Sequence, residues 1–309
     1  MSDTFDRRVE DRPHTPPSPT ANVTRLPVYH AKRFDPDDDT ILRLNAPLVV
    51  DWLVRFLRAE LLQRRGFQRA IVGLSGGVDS SLTAYLCARA LGPENVIGVR
   101  MPYRTSSPES LEHAQLVADR LGIRSDTIDI TPAAEGYLAT QPDADPRRRG
   151  NVFARTRMIV LFDLSAKYGA LPVGTGNKTE RLFGYFTWHA DDSPPVNPLG
   201  DLFKTQVWQL ARELGVPEEI VSKPASADLI VGQTDEGDFG ISYALADRIL
   251  HYMLLGFPDR WLIEKGFAAV DVQLVRSKLE STHWKRHLPT FAMLSVTSIN
   301  DYYLRPVDY

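Results

Sequence analysis

The chain has 309 residues, 43% of them hydrophobic, with a formal net charge of -3 from 36 Lys and Arg against 39 Asp and Glu. That balance argues against nucleic-acid binding through a bulk positive field, and no apolar run is long enough to span a bilayer. The mixed-charge N-terminus (MSDTFDRRVEDR) lacks the apolar core of a secretory signal, so a cytoplasmic location is expected, and the single cysteine, Cys87, excludes an internal disulfide.

Residues 1 to about 40, with PHTPPSPT at their centre, bury too little apolar surface to offset the entropy of ordering and read as a disordered arm. A helix is predicted from about Ala46 to Arg65, with Leu48, Trp52, Leu53, Phe56, Leu57 and Leu61 along one face. Ile71–Leu74 reads as a buried parallel strand and Ser80–Leu91 as the helix after it, with Cys87 as a packed thiol. Strands follow at Val96–Met101, Ser125–Ile130 and Leu171–Gly174, and helices at Pro108–Leu121 and Asn151–Tyr168. The alternation predicts an α/β fold, a doubly wound parallel sheet with helices on both faces and ligands outside the carboxyl ends of the strands. Further on, Asp201–Leu214 is an amphipathic helix stopped by Gly215 and Pro217, and another helix runs from about Ile241 to Leu255. Residues 41–290 are expected to form one domain, with 291–309 as a tail of no clear period.

The first strand leads into Ser75-Gly76-Gly77-Val78-Asp79-Ser80-Ser81. Adjacent glycines permit left-handed backbone, which lets main-chain N–H groups close on an anion, and a helix N-terminus adds unpaired donors and a positive dipole. Phosphate capture is the chemistry implied. The Gly-Lys-Ser/Thr ending of a Walker A loop is missing.

The loop resembles the SGGxDS loop of the N-type ATP pyrophosphatases, which cut ATP between the α- and β-phosphates. With GNVFARTRM (150–158), GTGNKTE (174–180), FGYFT (183–187), PLGDLFKTQVWQLARELGVP (198–217) and KPASADL…DEGDFGIS (223–242), the order resembles the bacterial NAD synthetases of the ammonia-dependent type. The likeness runs from about residue 45 to about 290. It implies amidation of nicotinic acid adenine dinucleotide with ATP and ammonia through an acyl-adenylate, releasing AMP and pyrophosphate. It also implies that Ser75 to Ser81, Arg100, Thr175, Lys204 and Ser226 bind ATP, and that Asp79 and Glu180 hold Mg²⁺, an ion suited to hard oxygen ligands. Asp191 would bind and deprotonate ammonium, with the slip to Asp192 left open. Asp79, Lys204 and Asp191 would then carry the catalysis, and Arg155, Lys285 and Arg286 would meet the dinucleotide. Family members are homodimers, so a homodimer is expected.

Departures touch the acyl substrate. Trp284-Lys285-Arg286 stands for the family's His-Lys-Arg, Arg147-Arg148-Arg149 stands where relatives place an aromatic residue, and the loop between Asp228 and Asp235 is shorter than in several relatives. Other readings are a GMP-synthetase-like ATP pyrophosphatase, a paralogue amidating a different carboxylate, and a regulatory nucleotide binder without turnover. The lone cysteine speaks against sulfur transfer, which generally uses paired cysteines, and against an N-terminal glutaminase, so free ammonia or a separate amidase is the expected nitrogen source.

Overall fold

The computed structural model describes residues 34–226, 234–287, 292 and 294. The expected arm up to residue 33, the segment 227–233 and the tail apart from Ala292 and Leu294 lie outside the described residues. In chain order the elements are α1 (Ala46–Arg58), β1 (Arg69–Gly73), α2 (Val78–Leu91), β2 (Val96–Arg100), α3 (Pro108–Leu121), β3 (Arg124–Thr127), α4 (Thr131–Leu138), α5 (Pro146–Tyr168), β4 (Ala170–Pro172) and α6 (Lys178–Phe183). Then come α7 (Lys204–Glu213), α8 (Glu218–Val221), α9 (Asp235–Phe239), α10 (Tyr243–Leu254), α11 (Asp259–Glu264) and α12 (Ala269–Ser281).

The four strands lie in the order β3-β2-β1-β4, all parallel, with Ile71 opposite Ile97 on one side and Pro172 on the other. Successive side chains of β1 go to opposite faces, as strand geometry requires. Ala70 and Val72 join the core under α1, α2 and α7, and Ile71 packs with Ile97, Val99, Leu161 and Leu164 beneath α5. The doubly wound layering is therefore as predicted. The winding direction reverses between β1 and β4, and a sheet opens a crevice at such a switch point, outside its carboxyl ends. The Gly-Gly loop after β1 and the GTGNKTE segment after β4 both emerge there.

Several boundaries moved for local reasons. Leu53, Leu57 and Leu61 are buried with Val50 and Val54, but Leu48 and Trp52 are 64% and 69% exposed. At about 100° per residue, those two fall on the opposite side of α1 from the inward stripe, so the single apolar face was in fact two. The α1 helix continues as a π-helical turn through Ala59–Arg64. Helix α5 starts five residues before the predicted Asn151, because Asp145 accepts from Arg148 N at 2.7 Å and Pro146 takes the first helical position. The Arg147–Arg149 run is thus its first turn. Helix α7 starts at Lys204 and not Asp201, with the Gln206 side chain accepting from Phe203 N at 3.0 Å. Helices α4, α6, α8, α9, α11 and α12 had no counterpart in the sequence reading.

From Asp35 onward the described residues belong to one compact unit. Asp37 already takes part, its carbonyl accepting from Arg248 at 3.0 Å. Cys87 is fully buried, and loss of solvation pushes its thiol up to about 12. Among the described residues no helix is long and apolar enough to cross a membrane.

Candidate active site

The loop after β1 is built to stay open. Gly76 has φ +80°, and a Cβ there would stand 2.0 Å from the carbonyl oxygen of Ser110 at the start of α3, so only glycine fits. Ser80 Oγ accepts from Ser75 N at 3.2 Å, and Ser81 Oγ donates to the Gly77 carbonyl at 2.8 Å. Both hydroxyls thus brace the loop. Gly77 caps α2 with no side chain, which leaves the N–H groups of the first turn, Val78 and Asp79 included, without a side-chain acceptor.

Asp79 lies within that first turn and caps nothing. Its carboxylate accepts from Asn177 Nδ2 at 3.0 Å and from the Lys204 ammonium. Across the switch point, Asn177 starts α6 with a reciprocal cap. Its side chain accepts from Glu180 N at 3.0 Å, and Glu180 Oε2 accepts from Asn177 N at 3.2 Å. Glu180 Oε1 then stands 3.7 Å from Lys204 Nζ. The sequence-predicted trio of Asp79, Glu180 and Lys204 is therefore one cluster.

Electrostatics set its character. Lys204 is 2% exposed, and Tyr243 lies under its ammonium with the ring centroid 5.3 Å away. Burial opposes its charge, but Asp79 and Glu180 prevail and raise its pKa. Glu180 is pushed up to about 8, first by loss of solvation in the recess and then by the Asp79 charge, against the pull of Lys204. Burial also raises Asp235, whose Oδ2 accepts from Tyr243 Oη at 2.8 Å. Two buried acids beside one another favour a cation.

The other predicted residues distribute around this cluster. Arg100 ends β2, and its buried Nε has no hydrogen-bond partner among the described residues. Thr175 is half-buried just after β4, and Ser226 is exposed at the end of the described segment. A cavity of about 20 Å³, room for one small molecule, is lined by Gly176, Glu180, Arg181, Phe186, Asp191, Asp192 and Asn197. Asp191 accepts from Thr187 N at 2.8 Å. Solvent reaches this residue, yet protein surrounds it on most sides, and that desolvation raises it to about 6.

Lys285 and Arg286 both bond main-chain carbonyls. Lys285 Nζ donates to the carbonyls of Gly184 and Phe186 at 2.7 and 2.8 Å, and Arg286 donates to those of Leu182 and Leu279, both at 3.0 Å. Both therefore cap backbone. Arg155 donates to the Trp188 carbonyl at 3.1 Å. Trp188 meets Trp284 edge-on at 5.3 Å and stacks near His189, the one non-glycine with positive φ among the described residues. Arg147 acts electrostatically on Lys285, so the sequence departures at 147 and 284 converge on one rim. Arg148 and Arg149 are committed to Asp143 and Glu135, at 3.1 Å each.

Asn177 was missed by sequence reasoning although it lies inside a motif singled out there. Its signal was the Asn-x-x-Glu spacing of a capping box. Thr179 and Asp235, also buried at this site, lie inside quoted motifs but were given no role there, and buried Asp247 gave no local signal.

A parallel sheet whose switch-point crevice gathers an anion loop, two acids and a buried lysine defines the Rossmann-like fold of the ATP pyrophosphatases. The sequence model of the NAD synthase family matches residues 49–289, and the chain belongs to that family. It is 47% identical over 263 residues to the NH3-dependent NAD+ synthetase of Chlorobaculum parvum, covering 85% of this chain and 94% of the relative. Among solved structures it is similar to the NMN synthetase of Francisella tularensis (TM-score 0.72, 29% identity, 81% of this chain and 99% of that one). It is also similar to the NH3-dependent NAD synthetase of Campylobacter jejuni, solved with a nitrate ion (TM-score 0.70, 27% identity, 81% of this chain and all of that one).

Proposed function

We propose that the protein amidates nicotinic acid adenine dinucleotide to NAD with ATP and ammonia. The observation that carries this is the 47% identity to an NH3-dependent NAD+ synthetase over 85% of this chain and 94% of the relative. The crevice supplies a matching division of labour. The first-turn N–H groups of α2 and the Lys204 ammonium take the ATP phosphates, with Ser226 at their margin, and Arg100 and Thr175 take the adenosine. Pre-set positive groups lower the barrier as the substrate carboxylate attacks the α-phosphate and pyrophosphate leaves. Ammonium enters the small cavity and gives a proton to Asp191, and the ammonia so formed attacks the acyl carbon and loses a further proton to solvent as AMP departs. Arg155 and the Lys285–Arg286 corner orient the dinucleotide, the latter pair through the loop it fastens.

The donor set fits magnesium. Asp79 and Glu180 offer hard carboxylate oxygens, and the raised Glu180 would be relieved by a cation. An ion of this kind would complete its shell with water and substrate phosphates. When bound it would supply charge neutralisation at the pyrophosphate. A cytoplasmic homodimer with 41–290 as its single catalytic domain is part of the same reading.

The similarity to an NMN synthetase keeps one competitor in view, the mononucleotide acid as acyl substrate. End-point mass spectrometry with ATP, Mg²⁺, ammonium and either acid tests both. NAD with equimolar AMP is the expected result. Amide formation from the mononucleotide alone would assign the rim of Arg147 and Trp284 to a different substrate, and glutamine in place of ammonium tests the donor.

A further inference from the structure

Asp247 is a carboxylate with no exposed surface, well inside α10, and no step above uses it. All its visible bonds go to two threonines. Oδ1 accepts from Thr179 Oγ1 at 2.6 Å, and Oδ2 accepts from Thr205 N at 3.0 Å and Thr205 Oγ1 at 2.8 Å. Thr179 Oγ1 accepts in turn from Lys204 N at 3.1 Å. Thr179 immediately precedes Glu180 on α6, and Thr205 immediately follows Lys204 on α7. One side chain therefore fastens the first turns of the two helices that carry Glu180 and Lys204. Tyr243, one turn earlier on α10, adds its ring beneath the same lysine.

A buried carboxylate is an expensive way to fill a core, since apolar packing often does as well or better. Here its charge faces the positive end of α7, and its three accepted bonds fix a separation that packing alone leaves soft. We propose that Asp247 is a positioning residue for nucleotide binding, holding Glu180 and Lys204 at the spacing that the phosphates and their cation require. The inference rests on the proposed reading that the crevice binds ATP with magnesium.

The test is calorimetric titration of α,β-methylene-ATP with Mg²⁺ into the whole chain, for wild type, Asp247→Ala, Asp247→Asn, Thr205→Val and the control Ile249→Ala, with melting temperatures alongside. Ile249 is equally buried on α10, two residues on. Asp247→Ala should weaken binding about tenfold or more, as expected for lost hydrogen bonds to a charged group. Asp247→Asn keeps the shape and one acceptor, so it should fold and lose less. Thr205→Val should lose affinity with little change in melting temperature, whereas Ile249→Ala should lower melting temperature and leave affinity alone. KM for ammonium should not move in any of them. Affinity in Asp247→Ala within about twofold of wild type, or a loss in Ile249→Ala just as large, would overturn the proposal. Because the readout is binding, a wild-type chain that binds the analogue but makes no NAD overturns only the amidation reading, and one that does not bind overturns both.

Discussion

Replacing Lys204 with methionine keeps the stem and removes the ammonium from between Asp79 and Glu180. The contact that is lost is the ion pair with Asp79, because Glu180, pushed up to about 8, is mostly protonated at neutral pH. Burying the ammonium offsets part of that, and breaking a buried ion pair leaves an uncompensated charge worth about 3–5 kcal/mol. Glu180 is already mostly protonated and adds little further charge in the variant, which keeps the loss at the lower end, about 3 kcal/mol. For a chain of 309 residues that is about 5 °C in melting temperature. Catalysis should fall further, about 10²–10³-fold in kcat/KM for MgATP, as when one charge-stabilising donor is removed. Thermal melts in EDTA measure the first effect and initial rates the second. A melting temperature within about 1 °C of wild type, together with turnover within about fivefold, would refute both the burial argument and the phosphate role.

Asp191→Asn should leave ATP–pyrophosphate exchange intact and abolish amide formation; loss or survival of both half-reactions together would remove Asp191 from the ammonia step. In the wild type, kcat/KM for ammonium should decline as pH falls through about 6, where Asp191 takes the proton it must otherwise accept. Gly76→Ala forces a β-carbon against the Ser110 carbonyl from a left-handed backbone, so urea unfolding should show a loss of more than about 2 kcal/mol, with weakened MgATP binding. An unchanged unfolding midpoint would show that the loop can move aside. For magnesium-free protein, Glu180 sets a pH window. Its folded-state pKa is raised, so its contribution to stability is full below the ordinary 4.5 and is lost as pH rises through about 8. Glu180→Gln should flatten denaturation free energies across that window, and a slope that survives would point to other groups.

The strand, Gly-Gly loop and helix at 71–91 were legible because every cue is local: an aliphatic run, two glycines, then helical spacing. The motif order carried the likeness to the family. Burial of Lys204 was not legible, since a lysine on an amphipathic helix reads as solvated and its partner Asp79 is 125 residues away. Asp247 is hidden for the same reason, its partners lying on α6 and α7. Lys285 and Arg286 were read as cations that meet the substrate, and the main-chain carbonyls they also bond were not visible in the sequence. Helix α6 escaped because six residues are too few to show a period.

That same helix has a bearing on how the protein can change. Helix α6 is about 9 Å long, opened by the Asn177–Glu180 cap and closed at Gly184, where Lys285, Arg286 and Thr282 crowd its last carbonyls. Adding or deleting one residue would turn its exit by about 100° and dislodge the chain's final described segment from it. Substitution along α6 can be absorbed, but length cannot. The segment acts as a fixed gauge between the Asp79–Lys204 cluster and the Lys285–Arg286 corner, and variants of this scaffold should keep its residue count even where its side chains drift.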